Sequence, residues 1–191
     1  MKLKHKDIFE PIPHLDELPT DVYCHIQLKD VSKTVSTCSY SMSRKYKEAR
    51  ATLIHQALNA NTVTDSHPLP RVDDILADCS KAKIWSVIDM TNSFFQMRVH
   101  PDDVHLTAVT TPLGLYEWLA MPMGLRNSLA IHQHQMTAAL RKHLGKICHI
   151  YLDDIIVWSN SVPENAKHIE LIMASLRKAR LYCNPNKCKF F

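Results

Sequence analysis

The segment "HIYLDDIIVWS", residues 149–159, places two adjacent aspartates, Asp153 and Asp154, inside an otherwise apolar and β-branched run. Short runs of β-branched and aromatic residues favour strands, so the segments on either side predict two strands joined by a tight turn at Leu152-Asp153-Asp154. Two neighbouring carboxylates in a dry core would each cost several kcal/mol. They therefore lie at a solvent-accessible turn, where aspartate is common, or on a cation. This segment alone leaves both explanations open.

A third carboxylate, Asp89, favours the cation. It ends a second apolar run, "KIWSVIDM" (residues 83–90), which also predicts a buried strand. If that strand lies beside the 149–159 hairpin, three carboxylates gather at one sheet edge, with no lysine or arginine next to them in sequence. Such oxygen ligands suit Mg²⁺, which completes its shell with water and substrate phosphates. Two such ions roughly 3.5–4 Å apart can activate an attacking hydroxyl and stabilise a leaving pyrophosphate.

The remaining elements predict an α+β fold. Apolar spacing predicts helices at residues 43–58 and 72–79 and a hairpin within residues 105–122. A further helix begins at Ser128 as N-cap, has Leu129, Met136, Leu140 and Leu144 along one stripe, and stops at Gly145. The last helix opens on a capping box, Ser161 to Glu164, and buries Ile169, Ile172, Met173 and Leu176. This order favours an antiparallel sheet covered by helices on one face.

Composition bounds the function. The chain has 191 residues, 46% hydrophobic and 22% charged, which is enough for one ordinary domain. Three glycines against ten prolines argue against a glycine-rich phosphate loop or a many-turned β-sandwich. The net charge of +4 is uneven, because residues 65–120 carry eight acids and four bases, whereas residues 126–191 carry ten bases and four acids. One end is therefore suited to phosphates and the middle to cations, although a solvated basic helix surface explains the charge equally well.

The cysteines and histidines indicate no particular metal site. Six cysteines include no CxxC pair, and the first residues lack the apolar stretch of a secretion signal, which predicts reduced, intracellular thiols. No run approaches the roughly 18 apolar residues of a membrane span. Neither His132 with His134, nor Cys183 with Cys188 near His168, matches a known zinc-ligand spacing.

At this point several motifs carry a family resemblance. "YLDD" (residues 151–154) resembles the YxDD signature of reverse transcriptases, and "WSVIDMTNSFFQ" (residues 85–96) resembles their first catalytic-aspartate motif. "YEWLAMPMGLRNSLAIHQ" (residues 116–133) is similar to the motif that contacts primer, template and nucleotide. The sequence blocks at residues 68–76 and 187–191 are similar to blocks found in the polymerases of gypsy-like LTR retrotransposons. The resemblance covers nearly everything from residue 57 onward.

The resemblance implies an RNA-directed DNA polymerase palm with incomplete fingers. It divides the chain into an extended leader (1–42), a residual fingers region (43–82) and a palm cut short before the thumb (83–191). The implied partners are an RNA or DNA template with its primer, a dNTP and other segments of a polyprotein, with no membrane. The implied location is a cytoplasmic retroelement particle or the nucleus, and the implied cofactor is two Mg²⁺ ions, with Mn²⁺ as an alternative.

The resemblance also implies roles for individual residues. Asp89 and Asp153 would hold both metals, supported by Asp154 and the carbonyl of Met90. Phe94 matches the aromatic gate beneath the sugar, with plain core packing as the alternative, and Lys187 matches a residue that protonates pyrophosphate, with a solvated lysine as the alternative. Main-chain groups of Thr91, Asn92 and Ser93 would contact the triphosphate, and Met123, Gly124 and Gln133 would line the base pair and template. The implied nucleic-acid contacts are Tyr151, Arg141, Lys142, Arg177, Lys178 and Arg180.

The sequence departs from the family pattern at three places. "HQAL" runs directly into "NANTV" across Leu58 and Asn59, where family members have a fingers hairpin with the Lys and Arg that clamp the triphosphate. Leu129 replaces a proline that preorganises the helix start. The chain stops at Phe191, before the thumb. We therefore expect a shortened copy or a polyprotein fragment with reduced activity. A non-catalytic remnant is the alternative, whereas RNA-templated RNA synthesis is disfavoured by the bulk of Phe94.

Overall fold

The structure, a computed structural model, describes residues 2–15, 18–19, 22–33, 55–68, 70–111 and 114–190. Its helices are α1 (Gln56–Asn61), α2 (Val72–Cys79), α3 (Ser128–Leu140) and α4 (Val162–Lys178). Its strands are β1 (Tyr23–Cys24), β2 (Ile84–Asp89), β3 (Arg98–Val99), β4 (Val109–Thr111), β5 (Gly114–Tyr116), β6 (Cys148–Tyr151) and β7 (Asp154–Ser159). Short 3₁₀ helices cover Lys2–Phe9, Ser93–Gln96 and Pro101–Thr107.

The central sheet is antiparallel and has the order β2-β7-β6. Alternate residues of its strands face one side, as the period of two requires, and Ile88, Ile155 and Val157 on that side are all 0% exposed. Helix α4 packs on β7 and β2 and contributes the predicted stripe of Ile169, Ile172, Met173 and Leu176, also 0% exposed. The predicted antiparallel sheet with helices on one face is therefore confirmed.

The predicted ends of the helices are confirmed only in part. Ser161 caps α4 by accepting from the N–H of Glu164, but the Glu164 carboxylate accepts from the N–H of Asn160. For α3 the N-cap is Asn127 rather than Ser128, whose hydroxyl donates to the carbonyl of Leu125. Helix α3 ends at Leu140, ahead of Gly145. Turn hydrogen bonds from the N–H groups of residues 143 and 144 to the Leu140 carbonyl replace the last predicted turn.

The described amino-terminal residues pack against the rest of the protein. The carbonyl of Ile8 accepts from the N–H of Cys183, and the Ile8 side chain is 2% exposed. Strand β1 pairs in parallel with β3. A second apolar cluster joins this region to the rest, formed by Cys24, Ile26, Leu58, Met97, Met121 and Leu125. Most of the helix predicted at residues 43–58 lies outside the described residues.

Five cysteines lie in the described parts of the chain. The cysteines there, Cys24, Cys79, Cys148, Cys183 and Cys188, are free thiols. None of the helices in the described ranges combines the length and apolar character needed to cross a bilayer.

Candidate active site

Three carboxylates meet at one end of the central sheet, where β2 ends and β7 begins. Asp89 and Asp154 are Cα partners in the β2–β7 ladder, so their side chains leave the same side of the sheet. Asp153 is the second residue of the two-residue turn between β6 and β7. The first residue of this turn, Leu152, has a left-handed φ of 54°. The N–H of Met90 donates to the carbonyl of Asp153 at 3.3 Å and closes this end of the ladder. The sequence predicted this convergence, but it did not predict that Asp154 stands directly opposite Asp89.

The surroundings of Asp89 leave one carboxylate oxygen without a partner. Its Oδ1 is buried and makes no hydrogen bond, and its Oδ2 lies 3.6 Å from the Nζ of Lys187. Lys187 reaches this position because the chain near Cys183 and Lys189 forms bridges with Met90 and Val87, extending the sheet beyond β2. A buried, unsatisfied carboxylate oxygen is costly unless a cation or proton binds there. The donor chemistry therefore fits a divalent ion.

Asp153 has two neighbours on one oxygen. The hydroxyl of Ser93 donates to its Oδ1 at 2.8 Å, and the Nδ1 of His132 lies 3.8 Å from the same oxygen. His132 is 0% exposed, and neither ring nitrogen has a hydrogen-bond partner. Burial lowers the pKa of His132, against the opposing effect of Asp153, so the ring is neutral near pH 7. The predicted triphosphate-contacting loop at residues 91–93 is thus tied to the aspartate turn.

Sequence reasoning missed His132 as part of this site, having considered it only as a zinc ligand. The signal was present, because His132 stands four residues before Met136 and eight before Leu140 on the buried face of α3. Its ring packs against that of Phe94, with ring centroids 5.4 Å apart. Phe94 is half-buried. The predicted gate residue and a buried histidine therefore share one wall of the site.

Gln96 is a second residue that the sequence did not single out. It is 1% exposed; its side-chain amide donates to the carbonyls of Thr91 and Tyr182, and its Oε1 accepts from the N–H of Tyr182. The main chain of Thr91 also donates to the Tyr182 carbonyl. These bonds hold the loop after β2, in which Asn92 has a left-handed φ of 42°, against the segment that carries Lys187.

The residues predicted to line the base pair lie in different surroundings. Met123 is 48% exposed, and Gly124 has a φ of 95°, a conformation that favours glycine. The Gly124 carbonyl accepts from the side chain of Asn59 at 2.7 Å. Gln133, by contrast, is buried, and its amide oxygen has no hydrogen-bond partner.

The predicted nucleic-acid contacts also differ in availability. Arg141, Lys142 and Lys178 are exposed, and Tyr151 is half-buried beside the aspartate turn. Arg177 already makes a two-bond ion pair with Asp7, with Nη2 to Oδ1 at 2.9 Å. Arg180 is exposed but has contacts of its own. Arg177 is therefore the least suited of this set to follow a phosphate backbone.

Electrostatics at the site disfavour three simultaneous negative charges. Partial burial raises the pKa of Asp154, because it removes water from the carboxylate. The negative charges of Asp89 and Asp153 raise this pKa further, and the positive charge of Lys187 lowers it. When one oxygen is taken from each of the three carboxylates, the three oxygens do not all lie within 4.8 Å of one another. Among the described residues, only His25, His100 and Asp103 meet that distance. That spacing still suits Mg²⁺, which binds through one or two carboxylates and takes its other ligands from water and phosphates.

We expect Asp154→Asn to raise the free energy of unfolding at pH 7 in the absence of divalent ions. The folded state holds the Asp154 proton more tightly than the unfolded state, so ionisation costs stability as the pH rises above the ordinary value of 3.8. Urea unfolding in EDTA at pH 7 measures the gain. The gain should shrink toward the lowest pH at which both proteins fold. The matched control Asp74→Asn removes a charge that favours the first turn of its helix, so it should lower rather than raise the free energy of unfolding.

Comparison with known proteins identifies the family of the chain. Residues 32–191 match the family model described as reverse transcriptase (RNA-dependent DNA polymerase). The chain is 38% identical over 144 residues to the retrovirus-related Pol polyprotein from transposon opus of Drosophila melanogaster, covering 75% of this chain and 14% of that protein. It is 32% identical over 142 residues to the Pol polyprotein from transposon gypsy of the same organism, covering 74% and 14%. The chain thus spans about a seventh of these relatives.

Solved structures show the same fold at low identity. The foamy viral protease-reverse transcriptase in complex with an RNA/DNA hybrid superposes with a TM-score of 0.74 at 18% identity, over 99% of this chain and 30% of that one. The foamy viral protein in complex with double-stranded DNA gives a TM-score of 0.66 at 24% identity, over 72% and 24%.

Proposed function

The chain belongs to the reverse transcriptase family, and from that premise we propose that it forms the palm of an RNA-directed DNA polymerase from a gypsy-like LTR retroelement. Its substrates would be a primed RNA or DNA template and a dNTP, with other polyprotein segments as partners. It would work in a retroelement particle or in the nucleus. The observation that carries the proposal is the register of β2 and β7, which pairs Asp89 with Asp154 beside the Asp153 turn.

The metal assignment rests on the chemistry of the carboxylates. Asp89 and Asp153 would hold two Mg²⁺ ions, or Mn²⁺, with Asp154 and the carbonyl of Met90 in support. The unpartnered Oδ1 of Asp89 is an acceptor available for this purpose. When bound, such ions activate the primer 3′-hydroxyl and neutralise the charge of the triphosphate.

The protein side chains would supply orientation and proton transfer. The Ser93 hydroxyl fixes one oxygen of Asp153 and thereby its direction. Lys187, held near Asp89, would give a proton to the leaving pyrophosphate. The main chain of Thr91, Asn92 and Ser93 would contact the triphosphate, and Met123, Gly124 and Gln133 would line the base pair. The exposed bases Arg141, Lys142, Lys178 and Arg180, with Tyr151, would follow the duplex and give salt-sensitive affinity without sequence reading.

Phe94 would exclude ribonucleotides by its bulk beneath the sugar. We expect Phe94→Val to raise incorporation of rNTP relative to dNTP by at least about tenfold, since removing ring volume admits the 2′-hydroxyl. Competition between the two nucleotides in single-primer extension measures this ratio. The neighbouring Phe95→Val is the control, because its ring packs on Trp118 instead, and its ratio should stay at the wild-type value. If the wild type, Phe94→Val and Phe95→Val have the same ratio of rNTP to dNTP incorporation, Phe94 serves only to pack the core.

A non-catalytic remnant is the second candidate, favoured by the junction at Leu58 and Asn59. Leu58 is 1% exposed, and Asn59 accepts from the N–H of Arg126 at 2.7 Å and donates to the Gly124 carbonyl. The joined chain is thus well packed without the hairpin that carries two triphosphate-clamping cations in the family. Losing two cations would slow phosphoryl transfer, which depends on positioning and charge stabilisation.

Primer extension on a poly(rA)·oligo(dT) template, with Mg²⁺ or Mn²⁺, separates the two candidates. Metal-dependent extension supports the polymerase. No extension at any protein concentration, together with duplex binding that weakens as salt rises, supports the remnant. Duplex binding that does not depend on salt concentration would exclude nucleic-acid binding as a function under both candidates.

A further inference from the structure

Two histidines and an aspartate, none of them among the three active-site carboxylates, meet at a second place in the structure. They are His25, which follows β1, His100, which follows β3, and Asp103 in the 3₁₀ helix Pro101–Thr107. Each offers a ligand atom, and these atoms all lie within 4.8 Å of one another. Across the described ranges, no other trio of histidine, cysteine or acidic residues meets that distance.

Backbone pairing holds the three residues together. Cys24 and Val99 are partners in the parallel β1–β3 pair, so the next residues, His25 and His100, stand side by side. The N–H of His100 donates to the Cys24 carbonyl at 3.0 Å. The Asp103 carboxylate accepts from the N–H of Ile26 at 3.0 Å. The cluster is therefore built by main-chain bonds that do not depend on the imidazole rings.

Both imidazole rings have side-chain contacts, and the His100 ring also packs edge-on against the Tyr23 ring, with ring centroids 5.2 Å apart. The Nδ1 of His25 lies 3.2 Å from the Oδ2 of Asp103, and the two imidazole rings stack with centroids 4.1 Å apart. The Nδ1 of His100 accepts only a long bond, 3.3 Å, from the N–H of Asp102. His25 is 64% exposed at its side chain, whereas Asp103 is 17% exposed. Asp103 is therefore the fixed ligand, and the exposed imidazole of His25 is the ligand that would move when an ion binds.

We propose that His25, His100 and Asp103 bind a zinc ion. Two imidazoles and one carboxylate are a ligand set that Zn²⁺ accepts in tetrahedral geometry, with the fourth position filled by water or another donor. Asp102 lies nearby, with its Oδ2 3.6 Å from the Nδ1 of His100, but it is outside the group within 4.8 Å, so water is the expected fourth ligand. Mg²⁺ prefers oxygen ligands, so it would not compete for this trio.

The ion would fasten the amino-terminal segment to the body of the protein. Strands β1 and β3 pair over only two residues each, and so short a ladder gives little stability on its own. A zinc ion would join residues 22–28 to residues 98–107 by side-chain bonds. Ligand binding to the folded state alone then raises the unfolding temperature.

The test is calorimetric titration of ZnCl₂ into the full chain in excess Mg²⁺, which is added to fill the proposed carboxylate site. We expect one saturable zinc site per chain and a rise in unfolding temperature with zinc. His25→Gln and His100→Gln should each weaken zinc binding by at least about tenfold and abolish the rise. The matched control is His105→Gln, because His105 is an exposed histidine of the 3₁₀ helix that carries Asp103. Its zinc affinity and its rise in unfolding temperature should equal those of the wild type.

Two results would overturn the site. One is the absence of saturable zinc binding, which would leave His25 and Asp103 as an ordinary ion pair. The other is zinc binding that survives both substitutions and is lost in His134→Gln, since His134 lies 3.5 Å from Asp65 and its ring packs at a tilt against that of His67. Circular dichroism of each variant checks folding, and exposed His25 gives an informative variant even if His100→Gln unfolds.

Discussion

Asp153→Asn is expected to reduce metal-dependent primer extension by at least about 100-fold, a loss typical of removing one charge-stabilising group from a catalytic centre. Asparagine keeps the size and the Ser93 hydrogen bond but removes the negative charge on the oxygen that Ser93 and His132 flank. Initial rates on poly(rA)·oligo(dT), at matched protein concentration and saturating Mg²⁺, measure the loss. The same reduction is expected in Asp89→Asn, because the proposed ions would bind to both carboxylates.

The control for this loss is a carboxylate of the same type outside the site. Asp74→Asn, at an exposed position of α2, should retain the wild-type rate. Duplex affinity should be unchanged in Asp153→Asn, since the basic surface is intact. If Asp153→Asn extends the primer at the same rate as Asp74→Asn, the three aspartates have no part in the reaction.

Ile172→Ala is expected to lower the free energy of unfolding by about 2–5 kcal/mol, the range for deleting a buried isoleucine side chain beyond its β-carbon. Ile172 is 0% exposed and lies in the apolar cluster between α4 and the central sheet. A cavity there cannot collapse easily, because Ile155 and Val157 of β7 lie in the same packed layer. Equilibrium urea unfolding monitored by circular dichroism measures the change.

The neighbouring residue supplies the matched control. Leu171 follows the same helix but is 49% exposed, so Leu171→Ala should change the free energy of unfolding by no more than about 0.5 kcal/mol. Equal losses in the two variants would mean that α4 packs through a different face, and the assigned layer of helix on sheet would then be wrong.

The strands and the last helix could be predicted from sequence because local pattern and burial agree there. The stripe of Ile169, Ile172, Met173 and Leu176 became core, as its spacing requires. The apolar run ending at Asp89 formed the predicted strand but buries only one face, since Ile88 is 0% exposed and Trp85 is 39% exposed. Helix α3 was predicted less well. Leu129 of its predicted apolar stripe is 36% exposed, whereas the polar residues His132 and Gln133 are buried, so hydropathy alone misassigned part of its buried face.

The rest of the site depends on contacts that no local pattern encodes. The carboxylates of Asp89 and Asp154 face each other because of strand register, which the sequence left open. Lys187 reaches Asp89 through bridges made by the chain after α4. The trio of His25, His100 and Asp103 joins segments more than seventy residues apart. Sequence spacing could not reveal it, because its histidines are brought together by parallel pairing of two-residue strands.

The central claim is that carboxylates of β2 and of the β6–β7 turn share divalent ions. Crystals of the full chain soaked in Mn²⁺, with anomalous diffraction recorded, test it most directly. The account predicts an anomalous peak within coordination distance of carboxylate oxygens from both Asp89 and Asp153, absent from crystals of Asp153→Asn. A manganese peak bound by neither aspartate, or one that persists unchanged in the variant, would contradict it.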